Sequence, residues 1–241
     1  MAAIELNSTP LISDANLTHY WRLEDNYTDT IGTLDTVVET GTPAYVTGLF
    51  GKGVDFDDGD YLTVSNSTAM SATTGFTWNA WFYRDSQSGV QENVVWYGGL
   101  YAYIYIYTNN KLRAVWKQGG NWKTPLESAA APSATAWHMG TLTGDGTTIT
   151  LYLDGSSVGS AVDSIDTQSV NFGISDGTGA SLVGKVDDIS VFNRALTSTE
   201  ISNLYNGNWT SIKTILGLTK ASVKTINGLA IASVKTINGL G

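Results

Sequence analysis

The sequence predicts an all-β protein, a two-sheet antiparallel sandwich with one short helix and a C-terminal tail of β repeats. Three observations support this prediction. Of the 241 residues, 42% are hydrophobic, only 15% are charged and 26 are glycine, which favours sheets over helices and allows a sizeable core. Short runs of alternating apolar and polar residues follow one another between Gly, Asn and Asp turns. A seven-residue motif also repeats near the C-terminus.

The clearest strand is the run 101–107, in which tyrosine alternates with Ala or Ile. One face of this strand carries a tyrosine stripe, formed by Tyr101, Tyr103, Tyr105 and Tyr107. Asn109 and Asn110 predict a turn, and the run 111–117 alternates as the partner strand. Arg113 on this partner strand joins the stripe as a candidate ligand-binding residue.

Further strands are predicted where similar runs occur, at 76–83, 137–143, 148–153 and 185–192. The third of these runs is bounded by Asp145-Gly146 and Asp154-Gly155, which are pairs typical of tight turns. Large aromatic residues in and near the runs are expected in the core: Trp78, Trp81, Trp96 and Trp137.

One helix is predicted, over residues 198–204. Thr197 or Ser198 is its expected N-cap, because a side-chain hydroxyl can accept a hydrogen bond from a free backbone N–H. Glu200 follows in the first turn, where an acidic residue is favourable.

The last 31 residues repeat a unit of eleven residues. VKTINGL occurs twice, at 223 and 234, after a degenerate copy, IKTILGL, at 212. An eleven-residue period also fits a right-handed helical supercoil, but a central glycine in each unit and many β-branched residues disfavour a helix. The Asn-Gly pairs are typical of tight turns, so each unit is predicted to be a short strand followed by a turn.

So few repeats cannot bury their own apolar faces, and we expect other chains to cover them. Three chains around one axis is the commonest closure of such a tail, which predicts a homotrimer. The residues expected to mediate oligomerisation are Ile215, Val223, Ile226, Leu229, Ile231, Val234 and Ile237.

Composition divides the chain into parts, predicted as an N-terminal arm at 1–16, a body at 17–208 and a tail at 209–241. The net charge is −9, but residues 211–241 hold four Lys and no acid, which leaves 9 − 22 = −13 for the residues before them. Such an acidic body is unsuited to nucleic acid. The absence of cysteine excludes disulfides and thiolate sites.

No apolar stretch approaches the ~18 residues of a membrane span, so we expect no membrane insertion. The N-terminus has neither a basic region nor an apolar region of the kind found in signal peptides. We therefore expect no signal peptide.

Residues 186–205, VDDISVFNRALTSTEISNLY, resemble the closing signature of the laminin G-like members of the concanavalin A-like lectin/glucanase superfamily. Other landmarks of that family follow in order, at 20–32, 51–64, 76–84 and 137–160. The resemblance covers residues 17–206 and implies a jelly roll of two antiparallel sheets, one of them concave and often the ligand face. It does not imply one activity, because function depends on the site.

Catalysis is not expected. Related jelly-roll glycosidases use two carboxylates, roughly 5 to 9.5 Å apart, but no Glu here has a second carboxylate two residues away in a clear strand. Asp55 and Asp57 do alternate, in a segment whose family counterpart is structural. Neither His19 nor His138 has a nucleophile at a readable spacing. The sequence therefore predicts a protein that is not an enzyme.

Two kinds of binding remain open. Sugars stack on amphipathic rings such as those of the tyrosine stripe, although rows of tyrosine are also good cross-strand packing. Many members of the family hold a structural Ca²⁺, and by position Asp29 and Asp187 would match its ligands. The alternative is that Asp29 caps a turn and that Asp187 bonds neighbouring backbone.

The KTINGL tail resembles short repeats of phage and phage-like virion proteins that carry added jelly-roll domains. This resemblance implies a virion-surface protein, a capsid decoration or fibre component, made in the host cytoplasm with capsid or tail proteins as partners. Its body would face outward and bind surface glycans, while the tail trimerises and anchors. The alternative is a free-standing or cell-surface carbohydrate-binding module located outside the cell.

Overall fold

The computed structural model describes residues 3–34, 37–64, 75–97, 101–166, 171–175 and 180–208, and the backbone of four residue pairs further on. The chain divides into two compact units, residues 1–208 and residues 209–241, so the segments predicted as an arm and a body belong to one unit. From here on, we call the first unit the body and the second the tail. Among the described residues, no helix has the length and apolar character needed to cross a membrane.

Strands make up most of the body. In chain order they are β1 (Leu17–Trp21), β2 (Val37–Thr40), β3 (Ala44–Thr47), β4 (Lys52–Phe56), β5 (Tyr61–Val64), β6 (Phe76–Arg84), β7 (Glu92–Tyr97), β8 (Ala102–Ile106), β9 (Leu112–Gln118), β10 (Asn121–Trp122), β11 (Leu126–Glu127), β12 (Trp137–Gly144), β13 (Thr148–Leu153), β14 (Ser156–Val162), β15 (Phe172–Ser175) and β16 (Gly184–Phe192). Two 3-10 helices, Leu6–Ser8 and Pro10–Ser13, precede β1, and the α-helix α1 (Ser198–Asn206) follows β16.

These strands form two antiparallel sheets that pack as a sandwich. The first sheet has the order β14-β13-β12-β6-β16-β4-β3, with β1 also paired to β16. The second has the order β10-β9-β8-β7-β15-β5-β2, with β11 also paired to β9. The predicted fold class is confirmed: the body is an all-β jelly-roll sandwich with one short helix. Each strand predicted from the alternating runs begins and ends within one residue of the observed position.

The core lies between the two sheets. Ala102, Ile104 and Ile106 of β8 are fully buried there, and so are Leu112 and Trp116 of β9. This is the alternation predicted for both strands, since neighbouring side chains in a strand point to opposite faces. Burying one such large aliphatic side chain contributes roughly 1.5 to 3 kcal/mol, so the inner residues fix which face of the hairpin points outward.

The tryptophans expected in the core do not all lie there. Trp78 is buried in the core, and Trp81 is buried against a tyrosine ring of α1. Trp137 is only half-buried, with its ring 5.7 Å from that of Tyr83, the residue paired with it across the sheet. The core prediction for Trp137 was therefore wrong, because its place at the start of β12 turns the ring outward. The side chain of Trp96 lies outside the described residues.

Helix α1 begins where the sequence predicts. Thr197 is its N-cap, and the Thr197 hydroxyl and the Glu200 carboxylate each accept a hydrogen bond from the other residue's backbone N–H. Gly207 ends the helix with φ +67°, a left-handed conformation that glycine adopts without strain. Ile201 and Leu204 form the buried face of the helix.

The guanidinium of Arg194 connects this helix to the segment before β1. Its Nη2 lies 2.5 Å from Asp14 Oδ2 and 2.6 Å from Glu200 Oε1. Residues 3–16, predicted as an arm, also pack on the sandwich through the buried side chains of Leu6 and Leu11. The Arg194 contacts therefore bring the segment before β1 next to the start of α1.

In the tail, two short hairpins repeat with the predicted period. Strands β17 (Thr214–Ile215) and β18 (Leu218–Thr219) pair antiparallel, and β19 (Thr225–Ile226) and β20 (Leu229–Ala230) pair in the same way eleven residues later. Three of the predicted oligomerisation residues lie in these strands: Ile215, Ile226 and Leu229. The others lie outside the described residues: Val223, Ile231, Val234 and Ile237.

Candidate functional site

One surface of the second sheet collects most of the candidate binding residues. It lies on the side of β8 and β9 opposite the core, because the inward residues of both strands are buried. We call this surface the tyrosine face, and its members are Tyr101, Tyr103, Tyr105, Tyr107, Arg113, Lys117 and Trp122.

The rings of the tyrosine face form a continuous row. The centroid of Tyr103 lies 4.7 Å from that of Tyr105, which in turn lies 6.1 Å from that of Tyr107. Trp122 extends the row, with its ring 5.7 Å from Tyr103 in an edge-to-face arrangement. The structure therefore brings the predicted tyrosines together with a tryptophan that the sequence analysis did not select.

The rings differ in their exposure to solvent. Tyr105 is only 4% exposed, and burial raises the pKa of its hydroxyl although Arg113 opposes that shift. Tyr101, Tyr103 and Tyr107 are half-buried, and Trp122 is 46% exposed. A ligand on this face would therefore meet Trp122 and the three half-buried tyrosines, while Tyr105 supports the row from below.

Two cations lie over these rings. The Arg113 guanidinium carbon is 3.7 Å from the centroid of Tyr107. Lys117 Nζ is 4.8 Å from the ring of Tyr101 and 4.6 Å from that of Trp122. The sheet register produces the second arrangement, because Lys117 pairs directly with Trp122 and its backbone N–H donates to the Tyr101 carbonyl. Such cation–π contacts hold long basic side chains in place.

The cations differ in their acidic partners. Glu127 forms an ion pair with Arg113 and another, at 3.3 Å, with Lys111. Hydrogen bonds from Asn109 and Arg113 lower the pKa of Glu127, so this carboxylate remains charged. Lys117 takes part in no ion pair within the described parts of the chain. Within the part of the chain that the structure describes, the tyrosine face thus combines half-buried tyrosines and the exposed Trp122 with one cation, Lys117, that forms no ion pair.

Lys117 and Trp122 were missed by the sequence analysis. Trp122 belongs to the two-residue strand β10, which is too short to show alternation. The available signal was the Gly119-Gly120 pair, which has positive φ at both positions and folds β10 back onto β9. That turn places Trp122 opposite Lys117.

Asp29, one of the two predicted calcium ligands, is surrounded by N–H donors. Its Oδ1 accepts hydrogen bonds from the backbone N–H groups of Tyr20 and Gly32, both at 2.9 Å. Its Oδ2 lies 2.6 Å from His19 Nδ1 and accepts from Leu34 N at 3.3 Å. Burial opposes ionisation, but these bonds outweigh it and lower the pKa of Asp29 to about 2. The contacts are those of a residue that holds a turn.

Asp187, the second predicted ligand, also bonds backbone. Its Oδ2 accepts from Leu49 N at 2.8 Å and Phe50 N at 2.9 Å, while its buried Oδ1 has no hydrogen-bond partner among the described residues. Burial raises the pKa of Asp187 to about 8 and that of Asp188 to about 7. The described residues include no group of three His, Asp or Glu side chains arranged for a metal ion. Calcium binding stays a prediction, in which Asp187 Oδ1 is the buried oxygen that would contact the cation.

A cleft of about 490 Å³ lies between the loop before β12 and the turn that joins β13 to β14. In it, His138 Nδ1 is 2.7 Å from Asp154 Oδ2, and His138 Nε2 is 3.1 Å from Ser133 Oγ. Sequence spacing gives no sign that Ser133 lies beside His138, because Ser133 reaches the imidazole only through the fold of this loop. The Ser133 carbonyl oxygen also lies 3.1 Å from Nε2, where a protonated imidazole would donate to it.

The hydrogen bonds of Asp154 give this arrangement a structural role. Its Oδ1 accepts from Met139 N at 2.9 Å, and its own N–H donates to the Met139 carbonyl at 2.9 Å. Asp154 therefore ties β12 to the turn between β13 and β14, and His138 braces it. The other carboxylates considered for catalysis, Asp55 and Asp57, do not share a strand, because β4 ends at Phe56.

Comparison with solved structures supports this fold. Domain 4 of AbnA, an extracellular arabinanase from Geobacillus stearothermophilus solved with arabinotriose, has a TM-score of 0.66 at 15% identity, covering 79% of this chain and 98% of that one. The binding domain of Paraclostridial Mosquitocidal Protein 1 has a TM-score of 0.66 at 17% identity, covering 81% and 53%. The receptor binding domain of botulinum neurotoxin C/D mosaic serotype has a TM-score of 0.64 at 14% identity, covering 80% and 51%.

At these identities the likeness shows the fold alone, and this chain spans about half the length of the two toxin domains. All three are parts of larger proteins, and the two toxin domains are described as binding domains. No curated protein sequence matches this chain. The family model described as the concanavalin A-like lectin/glucanases superfamily matches residues 56–202, more than half of the chain, and the chain therefore belongs to this family.

Proposed function

We propose that this protein is a non-enzymatic display protein of a virion surface, a capsid decoration or fibre component, whose body binds glycans through the tyrosine face. The observation that carries glycan binding is the row of rings that ends at the exposed Trp122. Aromatic rings of this kind stack on the apolar faces of sugars, while hydroxyl and N–H groups at their edges bond the sugar hydroxyls.

Glycan binding is tested by substituting the exposed rings. Tyr103→Ala and Trp122→Ala should each weaken binding on a glycan array by about tenfold, because one stacked ring contributes roughly 1.5 kcal/mol. Tyr83→Ala is the matched control, since Tyr83 is a half-buried ring under a cation, Lys185, on the first sheet. Unchanged binding by folded Tyr103→Ala and Trp122→Ala proteins would show that the row of rings is only structural.

The tail supports the assembly part of the proposal. Its two hairpins repeat at the same step, and two-residue strands are too short to bury their apolar side chains alone. Light scattering should find a trimer for the full chain and a monomer for a chain that ends at Asn208. Monomers in both samples would contradict the trimeric tail.

A free-standing or cell-surface carbohydrate-binding module is the second candidate. It is favoured by the structural likeness to a domain of an extracellular arabinanase. Both candidates use the tyrosine face, so fractionation of the source distinguishes them. Copurification with capsid or tail proteins supports display on a virion, whereas recovery from an extracellular envelope fraction supports the free-standing module.

A further inference from the structure

We infer that the tyrosine face selects carboxylate-bearing oligosaccharides over neutral ones, and that Lys117 is the residue that determines this preference. The inference rests on the proposed glycan binding and adds the class of sugar. Two observations support the inference: the position of the Lys117 ammonium and the charge of the strands around it.

Two aromatic rings hold the Lys117 side chain in a position from which its ammonium can bind an anionic group of a ligand. Its Nζ lies between two rings, 4.8 Å from Tyr101 and 4.6 Å from Trp122, and the residue is half-buried. Ring contacts on two sides restrict the side chain and remove part of its hydration. No described carboxylate forms an ion pair with it, although Arg113 and Lys111 both reach Glu127.

Charge around Lys117 has the opposite sign to that of the whole protein. Residues 111–127 contain four basic residues and one acid, and the carboxylates of Asp163 and Asp166 contact the same segment, which gives a local balance of 4 − 3 = +1, whereas the chain carries a net charge of −9. Lys123, the remaining cation of this group, pairs with Asp163 at 3.5 Å. A negatively charged sugar would be repelled by most of the surface and attracted to this part of it.

The two properties of the surface match the two parts of an acidic sugar. The exposed face of Trp122 suits the apolar side of a pyranose ring, and the adjacent Lys117 ammonium suits a carboxylate on that ring. A charge-assisted hydrogen bond is about twice as strong as a neutral one. Uronic and sialic acids are the sugars that carry both features.

The experiment compares each acidic sugar with its own methyl ester, which keeps the ring and removes the charge. The full chain is applied to an array of galacturonic, glucuronic and sialic acid oligosaccharides, their methyl esters and neutral oligosaccharides. We expect the acids to bind about tenfold more tightly than their esters, as the loss of one charge-assisted hydrogen bond predicts. The difference should shrink when the salt concentration rises from about 0.05 M to about 0.5 M, because salt screens the interaction between exposed charges.

Substitutions of Lys117 test whether this residue determines the preference for acids over their esters. Lys117→Gln should remove the difference between acid and ester without weakening the binding of neutral sugars, and Lys117→Arg should retain it. Lys185→Gln is the matched control, because Lys185 lies 4.3 Å over the Tyr83 ring on the other sheet. Thermal melting of each variant checks that the fold is intact.

Three results would overturn the inference, and they differ in what else they affect. Esters and neutral sugars that bind as well as the acids would remove the preference for carboxylates and leave glycan binding in place. A folded Lys117→Gln protein that keeps the full preference would show that Lys117 does not determine it, and would also leave glycan binding in place. An array on which no sugar binds would remove the proposed glycan binding as well.

Discussion

Arg84 and Glu92 form an ion pair inside the sandwich, with Arg84 Nε 2.6 Å from Glu92 Oε2 and neither side chain more than 1% exposed. Further hydrogen bonds extend the arrangement on both sides. Ser88 Oγ donates to the other carboxylate oxygen at 2.7 Å, and Arg84 Nη2 donates to Asn110 Oδ1 at 2.9 Å. The pair therefore connects the end of β6, the start of β7 and the turn between β8 and β9.

Glu92→Ala should lower the free energy of unfolding by about 3 to 5 kcal/mol, because it leaves the Arg84 charge buried without a counter-ion. Urea denaturation measures the change. The exposed pair between Lys185 and Asp85, at 3.5 Å, is the control, and Asp85→Ala should cost about 0 to 1 kcal/mol. Equal losses for the two variants would contradict the importance assigned to the buried pair.

Stability should fall as pH rises from about 5 to 8. Burial raises the pKa of Asp187 to about 8 and that of Asp188 to about 7, above the usual value of about 3.9. The folded state therefore favours the protonated acids, and their contribution is complete below about pH 4 and lost as pH rises through 7 to 8. Melting temperatures across this range test the slope, which Asp187→Asn should reduce. A flat profile would contradict the raised pKa values.

Asp29 should have the opposite effect on stability to Asp187 and Asp188, because its contribution is lost when the pH falls. Its pKa is lowered to about 2, so its contribution to stability is complete above about pH 4 and lost as pH falls toward 2. Melting temperatures of the wild type and of Asp29→Asn, measured from pH 5 to pH 2, should converge as the pH falls. A constant difference between them would show that ionised Asp29 adds no stability.

Calcium binding, predicted at Asp29 and Asp187, has a distinct pH signature. A cation at Asp187 Oδ1 must displace a proton, because burial raises the pKa of Asp187 to about 8. Added Ca²⁺ should therefore raise the melting temperature of a chelator-treated protein more at pH 8 than at pH 6. Asp187→Asn should abolish the increase. No change with Ca²⁺ at either pH would contradict a structural calcium site.

The hydrogen-bonded chain of Ser133, His138 and Asp154 should matter for stability and not for catalysis. Asp154→Ala removes an acceptor for Met139 N and should cost about 1 to 3 kcal/mol, whereas exposed Ser133→Ala should cost less than about 0.5 kcal/mol. Urea denaturation measures both. A fluorophosphonate, which labels activated serines, should leave Ser133 unmodified by mass spectrometry. Stoichiometric labelling would contradict the non-enzymatic proposal.

Regular alternation and local capping made much of the fold predictable. Ala102, Ile104 and Ile106 alternate with tyrosines, and only one face of a strand can then be buried. Thr197 and Glu200 identified the start of α1, because a capping box uses residues three apart in the sequence. Both signals are contained in a few neighbouring residues.

The missed features depend on residues that only the fold brings together. Glu92 belongs to no visible pattern with Arg84, because a loop separates β6 from β7. Trp122 reaches Lys117 through a glycine turn, and Ser133 reaches His138 through an irregular loop. Binding surfaces depend on such contacts, which is why the tyrosine stripe was predicted without the exposed Trp122 and without Lys117.

The contacts of Arg194 with Asp14 and Glu200 have a consequence for how the body joins other polypeptides. One guanidinium holds the segment before β1 and the helix after β16, so the sandwich starts and finishes at neighbouring points. A domain with adjacent ends can be spliced into a surface loop of a host protein without forcing the flanking host strands apart. The body is therefore suited to insertion within a larger chain as well as to attachment at one end.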